Sequence, residues 1–360
     1  MTAPWLRIGL IGMAVLLVAG DLRPGAMLPD TASSVSIGVT FSSRTLLLDG
    51  DPVDPDPVYE DLLGRPFTYL RLGAYWDEIT ADGYAALDAQ MDAAAAAGKQ
   101  VLLVVGAKAP RWPEFWLPTE MRQHGAEPFG IVGEHPRLRG AVLEHVTEVV
   151  MRYSDHPALY AWQVENEPLD PAGPSQWRVD AELLAAEVEL VRFLDPGRPV
   201  ALTFFLELPR GCPEPLDLGD CDLPRLLFGP PSDRADNLLR LLRPGDILGA
   251  DVYTAIGSTQ VTEDWTAYAA RWASAAQRSG VRFWITELQA EPWETARTRA
   301  TNGNAGTVTA DRTDVLVTDA AVRSGAEAVL LWGAEHWWRQ READPSWMEA
   351  ADGWLGDVAP

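Results

Sequence analysis

The stretch WQVENEP, residues 162–168, closes an apolar run that begins at Leu159. A short run of this kind reads as a buried strand, and Pro168 ends it because proline cannot continue a central ladder. The run finishes on Glu165, Asn166 and Glu167. A carboxylate in such a place is costly unless it is paired or used in chemistry.

Working outward, seven further segments share the pattern: SVSIGVTF from Ser34, TYLRLGAYW from Thr68, QVLLVVGA from Gln100, PVALTFFL from Pro199, DILGADVYT from Asp246, RFWITELQ from Arg282 and AVLLWGAEHW from Ala328. Amphipathic helical stretches lie between them, one with Val142, Val146, Val149, Val150 and Tyr153 on a single stripe, another with Trp265, Tyr268, Ala269 and Trp272. Gly98 and Gly280 stand where helices end. Eight strand-then-helix units predict an α/β fold, a single (β/α)8 TIM barrel. The chain has 360 residues, 47% of them hydrophobic, and no repeat or long linker divides it, so one large domain over residues 34–360 is expected.

Arg7 precedes an apolar run from Ile8 to Gly20 that is short for a membrane span. Residues 1–20 therefore read as a secretory signal or an uncleaved N-terminal anchor, with residues 21–33 as a linker. A secreted or extracytoplasmic location is the resulting expectation. There Cys212 and Cys221, in GCPEPLDLGDC, would form a small-loop disulfide contributing about 2–3 kcal/mol, with two free thiols as the alternative. The formal net charge of −23 argues against a nucleic-acid partner, which needs clustered Lys and Arg.

In a TIM barrel the chemistry gathers at the C-terminal ends of the strands. Here those ends carry Arg71, Tyr75 and Trp76 on the second strand, Asn166 and Glu167 on the fourth, Asp251 and Tyr253 on the sixth, Glu287 on the seventh, and Trp332, Glu335 and His336 on the eighth. Two carboxyls on opposite strands suit glycosidic bond cleavage, in which one protonates the leaving oxygen while the other attacks the sugar. NEP on strand four, TE on strand seven and an apolar-Trp-Gly strand eight resemble the clan A retaining glycoside hydrolases, a TIM-barrel group related to families 5, 39, 42 and 35. QVENE is also similar to the clan A β-galactosidases, in which the second glutamate of that run is the acid/base. Strand six lacks the histidine of a strict family 5 pattern.

That resemblance implies a carbohydrate substrate, Glu167 as acid/base, Glu287 as nucleophile, Asn166 at the sugar 2-hydroxyl, and Arg71 and Tyr253 against the nucleophile. A cationic Arg beside Glu287 would favour its charged form, and that charge would favour the protonated form of Glu167. Carboxyls about 5–5.5 Å apart are expected for direct attack. Structural ion pairing for Arg71 and packing for Tyr253 are the competing readings. Glu165 is a rival acid on the face of Glu167 if the strand stays regular, although it more naturally bonds inside the barrel top. Trp332, Trp76, Trp112 and His336 complete the candidate substrate-binding residues, while Glu291, Glu294 and Glu335 read as exposed loop acids. The histidines do not gather as ligands, so no metal and no organic cofactor is expected. A metal-dependent barrel and an inactive glycan-binding barrel are the alternatives.

Overall fold

The computed structural model describes residues 35–48, 52–124, 127–208, 231–256, 259–260, 264–293 and 308–356. Cys212, Cys221, Glu294 and the N-terminal segment lie outside these residues. Eight parallel strands form the barrel: β1 Ser36–Thr40, β2 Tyr69–Gly73, β3 Gln100–Val105, β4 Leu159–Val164, β5 Val200–Phe205, β6 Ile247–Val252, β7 Arg282–Gln289 and β8 Ala328–Trp332. β1 pairs with both β2 and β8, and so the sheet closes. All eight expected strands are present. Those expected to run on stop earlier: Trp76 opens the helix Trp76–Asp82, and Gly333, at φ 150°, turns β8 into the helix Ala334–Gln340. Among the described residues no helix is long and apolar enough to cross a membrane.

Alternation along the strands sends one set of residues into the barrel and the other against the helices. The inward set begins with an apolar floor of Tyr69, Leu102, Ala161, Ala201, Ile247, Trp284, Ala328 and Leu330. The rings of Tyr69 and Trp284 lie 4.6 Å apart, and the three alanines leave room for them. Above this floor the inward side chains turn polar: Arg71, Gln163, Thr203, Asp251 and Thr286, all buried. The valine stripe of the helix Pro136–Tyr153 is buried as its spacing predicts, and Trp265 and Ala269 are buried in the helix Trp265–Arg278.

The end of β4 departs from regular alternation. Trp162 faces outward, its Nε1–H donating to Asp195 at 3.0 Å, and Gln163 faces inward. Glu165 and Glu167 then take positive φ values of 61° and 41°. Such values are uncommon for residues with a Cβ, and they cluster where function holds the backbone in place. The two turns separate the acidic side chains. Glu165 swings away from the barrel axis and accepts the backbone N–H groups of Ala107 (2.8 Å) and Lys108 (2.5 Å). A Cβ on Gly106, at φ 133°, would stand 2.4 Å from the Glu165 carboxyl carbon, so only glycine fits there. Glu165 therefore does not share the face of Glu167: it bonds at the barrel top as expected, to the loop after β3, but on the side of the helix Ala181–Leu194 and not inside the barrel.

Its remaining neighbour is Glu187, on the helix Ala181–Leu194, which Asp180 caps through the N–H groups of Glu182 and Leu183. Both carboxyls are fully buried, and neither oxygen of Glu187 meets an N–H or hydroxyl donor among the described residues, so a proton held between the two acids is what satisfies them. Burial and the adjacent Glu165 charge push the Glu187 carboxyl well above the ordinary carboxylate range. A raised acid binds its proton more tightly when folded, so this pair stabilises the fold in acid and loses that contribution as pH rises above about 4.3. Glu187→Gln supplies the hydrogen without the titration. The variant is expected to melt a few degrees above the parent at pH 7, with the difference vanishing below about pH 4, when melting is followed as a function of pH. A constant difference at all pH values would contradict the shared proton.

Candidate active site

The position of Glu287 depends on a slip in β7. Ala250 pairs with Ile285, but the next residue, Asp251, pairs with Glu287, and on the other side Val329 pairs with Ile285 while Leu331 pairs with Leu288. One extra residue therefore sits in β7 at Thr286–Glu287. Such a bulge re-aims side chains, and here two consecutive residues face the barrel axis. The Thr286 hydroxyl donates to Asp251 Oδ1 at 2.6 Å, while Glu287 reaches the centre of the mouth.

Arg71, in the middle of β2, has no exposed surface and spreads its guanidinium over three partners. Nε donates to Gln163 Oε1 at 2.7 Å, and the two terminal nitrogens donate to Glu287 Oε1 and Asn166 Oδ1, both at 2.5 Å. The Tyr253 hydroxyl donates to the other oxygen of Glu287. Both expectations for Arg71 and Tyr253 place them on Glu287, and they are there. Asn166 turns its Nδ2 toward Glu114, at a long 3.4 Å.

Glu167 keeps some exposure, unlike the buried Glu287. Its backbone is tightly held: its N–H donates to Thr203 Oγ1 at 2.9 Å, and its carbonyl accepts from the buried Lys108 Nζ at 2.8 Å. Lys108 also reaches the carbonyl of Asp170 at 3.1 Å and the carboxylate of Glu114 at 3.0 Å. One oxygen from each of Glu167, Asp251 and Glu287 lies within 4.8 Å of the others. Packing around its carboxyl, followed by the negative charge of Asp251, pushes Glu167 well above the ordinary carboxylate range. Burial and then the charge of Glu287 do the same to Asp251, which is hydrogen-bonded to the Glu167 carboxyl. Asp251 Oδ2 meets no donor from protein N–H or hydroxyl groups, so a carboxyl proton shared with Glu167 is what satisfies it.

Three carboxyl oxygens so close could also hold a divalent cation. Here Glu287 already accepts from Arg71 on one oxygen and Tyr253 on the other, and Asp251 accepts from Thr286. A cation would compete with a buried guanidinium for Glu287, so the donor set suits a shared proton better. The arrangement can present a proton donor and a paired carboxylate to the same atom.

The aromatic candidates divide. Trp332 is buried at the end of β8, its ring set edge-on to Tyr253 (6.3 Å) and Trp293 (6.5 Å), but the Arg111 guanidinium lies over its face, 4.0 Å from the centroid. Trp112 is 66% exposed beside Arg111, and Trp293 is 42% exposed beside Tyr253, so these two offer free ring faces. Trp76 does not line the mouth: it belongs to the main core and stacks on His145 at 5.0 Å, because the chain turns into a helix at that residue. His336 lies on the helix after β8, edge-on to Trp347 at 5.3 Å.

Glu291 and Glu335 are not the exposed loop acids that their local sequence suggests. Both are buried and both accept from Arg111, which bridges them. Trp293 Nε1 also donates to Glu291 at 2.9 Å. Asp251 and this Arg111 group are site residues to which the sequence alone assigns no role, although the placement of Asp251 at the end of β6 is a usable signal.

Residues 81–176, which contain β3, β4 and Glu167, match the glycoside hydrolase family 42 model, described as beta-galactosidase. No curated protein sequence matches the chain. Among solved structures, it is similar to a beta-galactosidase from the psychrophilic Marinomonas ef1, with 15% identity and TM-score 0.52 over 82% of this chain and 54% of the other. A family 5, subfamily 18 glycoside hydrolase from Streptomyces cattleya, solved with GlcNAc, shares 17% identity at TM-score 0.54, over 84% of this chain and 71% of that one. A beta-galactosidase from the Antarctic haloarchaeon Halorubrum lacusprofundi shares 14% identity at TM-score 0.53, over 90% and 58%. The chain thus spans about half the length of the Marinomonas protein. The (β/α)8 fold is shared with these glycoside hydrolase barrels, and residues 81–176 resemble family 42, which leaves the family of the whole chain open.

Proposed function

We propose that this protein is a retaining glycoside hydrolase that cleaves O-glycosidic bonds of a neutral oligo- or polysaccharide by double displacement. The observation that carries the reading is the carboxyl arrangement: Glu167 and Glu287 come within 4.8 Å, one in an environment that holds a proton and the other paired with Arg71. That spacing suits direct attack better than the roughly 6.5–9.5 Å that an intervening water requires.

In the first step a Glu287 oxygen forms a bond to the anomeric carbon as the glycosidic bond breaks, and the Glu167 proton passes to the leaving oxygen. In the second, Glu167, now a carboxylate, takes a proton from water, whose oxygen attacks the same carbon and releases Glu287. Atoms and charge balance without an oxidant or reductant. Asn166, fixed by Arg71, is placed to meet the 2-hydroxyl with Nδ2. Neutral sugars fit best because Arg71, Arg111 and Lys108 are already committed to glutamates, and Arg234, close enough to Glu167 to feel its charge, is paired with Asp170 and Glu207. An inactive binding barrel would keep the geometry and lack turnover, so hydrolysis of any member of an aryl glycoside panel separates the two readings.

Three variants test the roles. Glu287→Gly is expected to lose several orders of magnitude in kcat, and azide should restore part of it by filling the vacated position, giving a glycosyl azide of inverted configuration. Near-normal activity in that variant would refute the assignment. Glu167→Ala is expected to fall by about 10²–10⁴ on poor leaving groups while still forming the intermediate from activated aryl glycosides, which need no proton. Equal losses on both would point to structural damage. Asp251→Asn removes the negative charge beside Glu167 and can donate to its carboxylate, both of which favour the ionised acid. The alkaline limb of kcat/KM is therefore expected to move to lower pH, and an unchanged profile would show that Asp251 does not act on Glu167.

A further inference from the structure

The backbone that carries the acid/base candidate is one that a glutamate does not adopt unaided. Glu165 takes φ 61° and Glu167 takes φ 41°, two left-handed turns on either side of Asn166. Residues with a Cβ hold such torsions only where their surroundings over-determine them. Those surroundings converge on Lys108, in the loop after β3. Its N–H donates to Glu165 Oε2 at 2.5 Å, its carbonyl accepts the Asn166 N–H at 2.8 Å, and its Nζ donates to the Glu167 carbonyl at 2.8 Å. A single residue thereby touches all three polar residues that follow β4.

The ammonium is fully committed. Lys108 has no exposed surface, and the three hydrogens of Nζ have three acceptors: the carbonyls of Glu167 and Asp170 and the Glu114 carboxylate. The loop doubles back to bring that carboxylate, since Lys108 bridges Phe115 in antiparallel fashion and the Ala109 N–H donates to the Glu114 carbonyl at 2.9 Å. The Asp170 N–H also reaches the Glu167 carbonyl, at 3.0 Å, so the turn from Glu167 to Asp170 folds around the ammonium. A buried charge is tolerated only with such partners, and so the ammonium and the two carbonyls fix one another.

We infer that Lys108 is a positioning residue for the acid/base: its ammonium holds the Glu167 backbone in the left-handed turn that aims the carboxyl into the mouth, and it touches no reacting atom itself. The inference rests on the glycosidase reading. Without the ammonium, the Glu167 carbonyl loses its charged donor and the segment can relax toward strand torsions, in which Glu167 would share a face with Glu165. A proton offered about 1 Å out of place costs about 100-fold in rate. Glu287 is held from β2 and β6 by Arg71 and Tyr253, and it keeps its place. Loss of Lys108 therefore carries the signature of a missing acid/base and not that of a missing nucleophile.

The experiment uses the full chain with Lys108→Met, which keeps the length of the side chain and removes its charge and donors. On the sugar selected by an aryl glycoside panel, kcat/KM is measured for the phenyl and the 2,4-dinitrophenyl glycosides. The phenyl substrate, which needs a proton, should lose about 100-fold, and the dinitrophenyl substrate no more than about threefold. For the latter kcat and KM should fall together, because an intermediate whose general base is misplaced accumulates. Azide, which needs no base, should then raise kcat by forming a bond to the anomeric carbon as Glu287 leaves, giving a glycosyl azide of retained configuration. Equal losses on the two substrates, unchanged kinetics or the lack of an azide effect would overturn the inference. Where circular dichroism shows Lys108→Met unfolded, Glu114→Gln decides: it loosens the hold on the ammonium while keeping an acceptor, and should show the same leaving-group dependence to a smaller extent. Equal or no losses there would overturn the inference as well. Inactivity of the unmodified chain on every aryl glycoside would instead overturn the glycosidase reading beneath it.

Discussion

The site depends on one buried cation. Arg71 ties β2 to β4 and β7 through Gln163, Asn166 and Glu287, and it has no contact with solvent. A guanidinium so enclosed is tolerable only because each of its three faces meets an acceptor, and the planar fork that suits carboxylates would not be matched by lysine. Its reach also sets the geometry of everything above it. Asn166 cannot rotate without losing a charge-assisted bond, and Glu287 cannot leave the axis without stranding the charge. The polar layer above the apolar floor is in this sense a single unit, and the fold carries it at the level where the strands end.

Two carboxyl pairs flank the end of β4, and the same physics serves each differently. Glu165 and Glu187 lie sealed between the barrel wall and a helix, where a held proton joins secondary elements. Glu167 and Asp251 lie inside the mouth, and Glu167 retains a route to solvent. What distinguishes a structural acid from a chemical one here is access, since both pairs share the elevated proton affinity that burial and mutual repulsion bring. Positive φ at two alternate residues directs one glutamate to each environment.

Much of this is legible in the chain. The eight strands and the polar residues at their upper ends can be read from apolar runs that end in polar residues, because barrel strands are buried throughout and their upper ends are not. The roles of Glu167 and Glu287 and the setting of Arg71 and Tyr253 against Glu287 are instead what the resemblance to the clan A hydrolases implies. The remainder requires tertiary information. Trp76 looks like a strand-end aromatic until the chain turns into a helix and buries it on His145. Glu165 looks like a neighbour of Glu167 until backbone torsions, invisible to a period-two pattern, turn it away. Arg111 is separated from Glu291 and Glu335 by much of the chain, and no local signal marks isolated acids as its partners. Residue types predict chemistry better than they predict direction.

The single-residue slip in β7 has a wider meaning for how such a site could be rebuilt. A regular strand offers the barrel interior every second side chain, so Thr286 and Glu287 could never both point inward on one. The slip changes the phase of the strand at the height where its backbone approaches the chemistry, so the threonine steadies Asp251 and the glutamate faces Arg71. Grafting the same residues onto an idealised barrel would therefore transplant the composition and lose the site, whereas a scaffold carrying the phase change could exchange much of its surrounding sequence. The inherited unit is a register, with the side chains as its occupants.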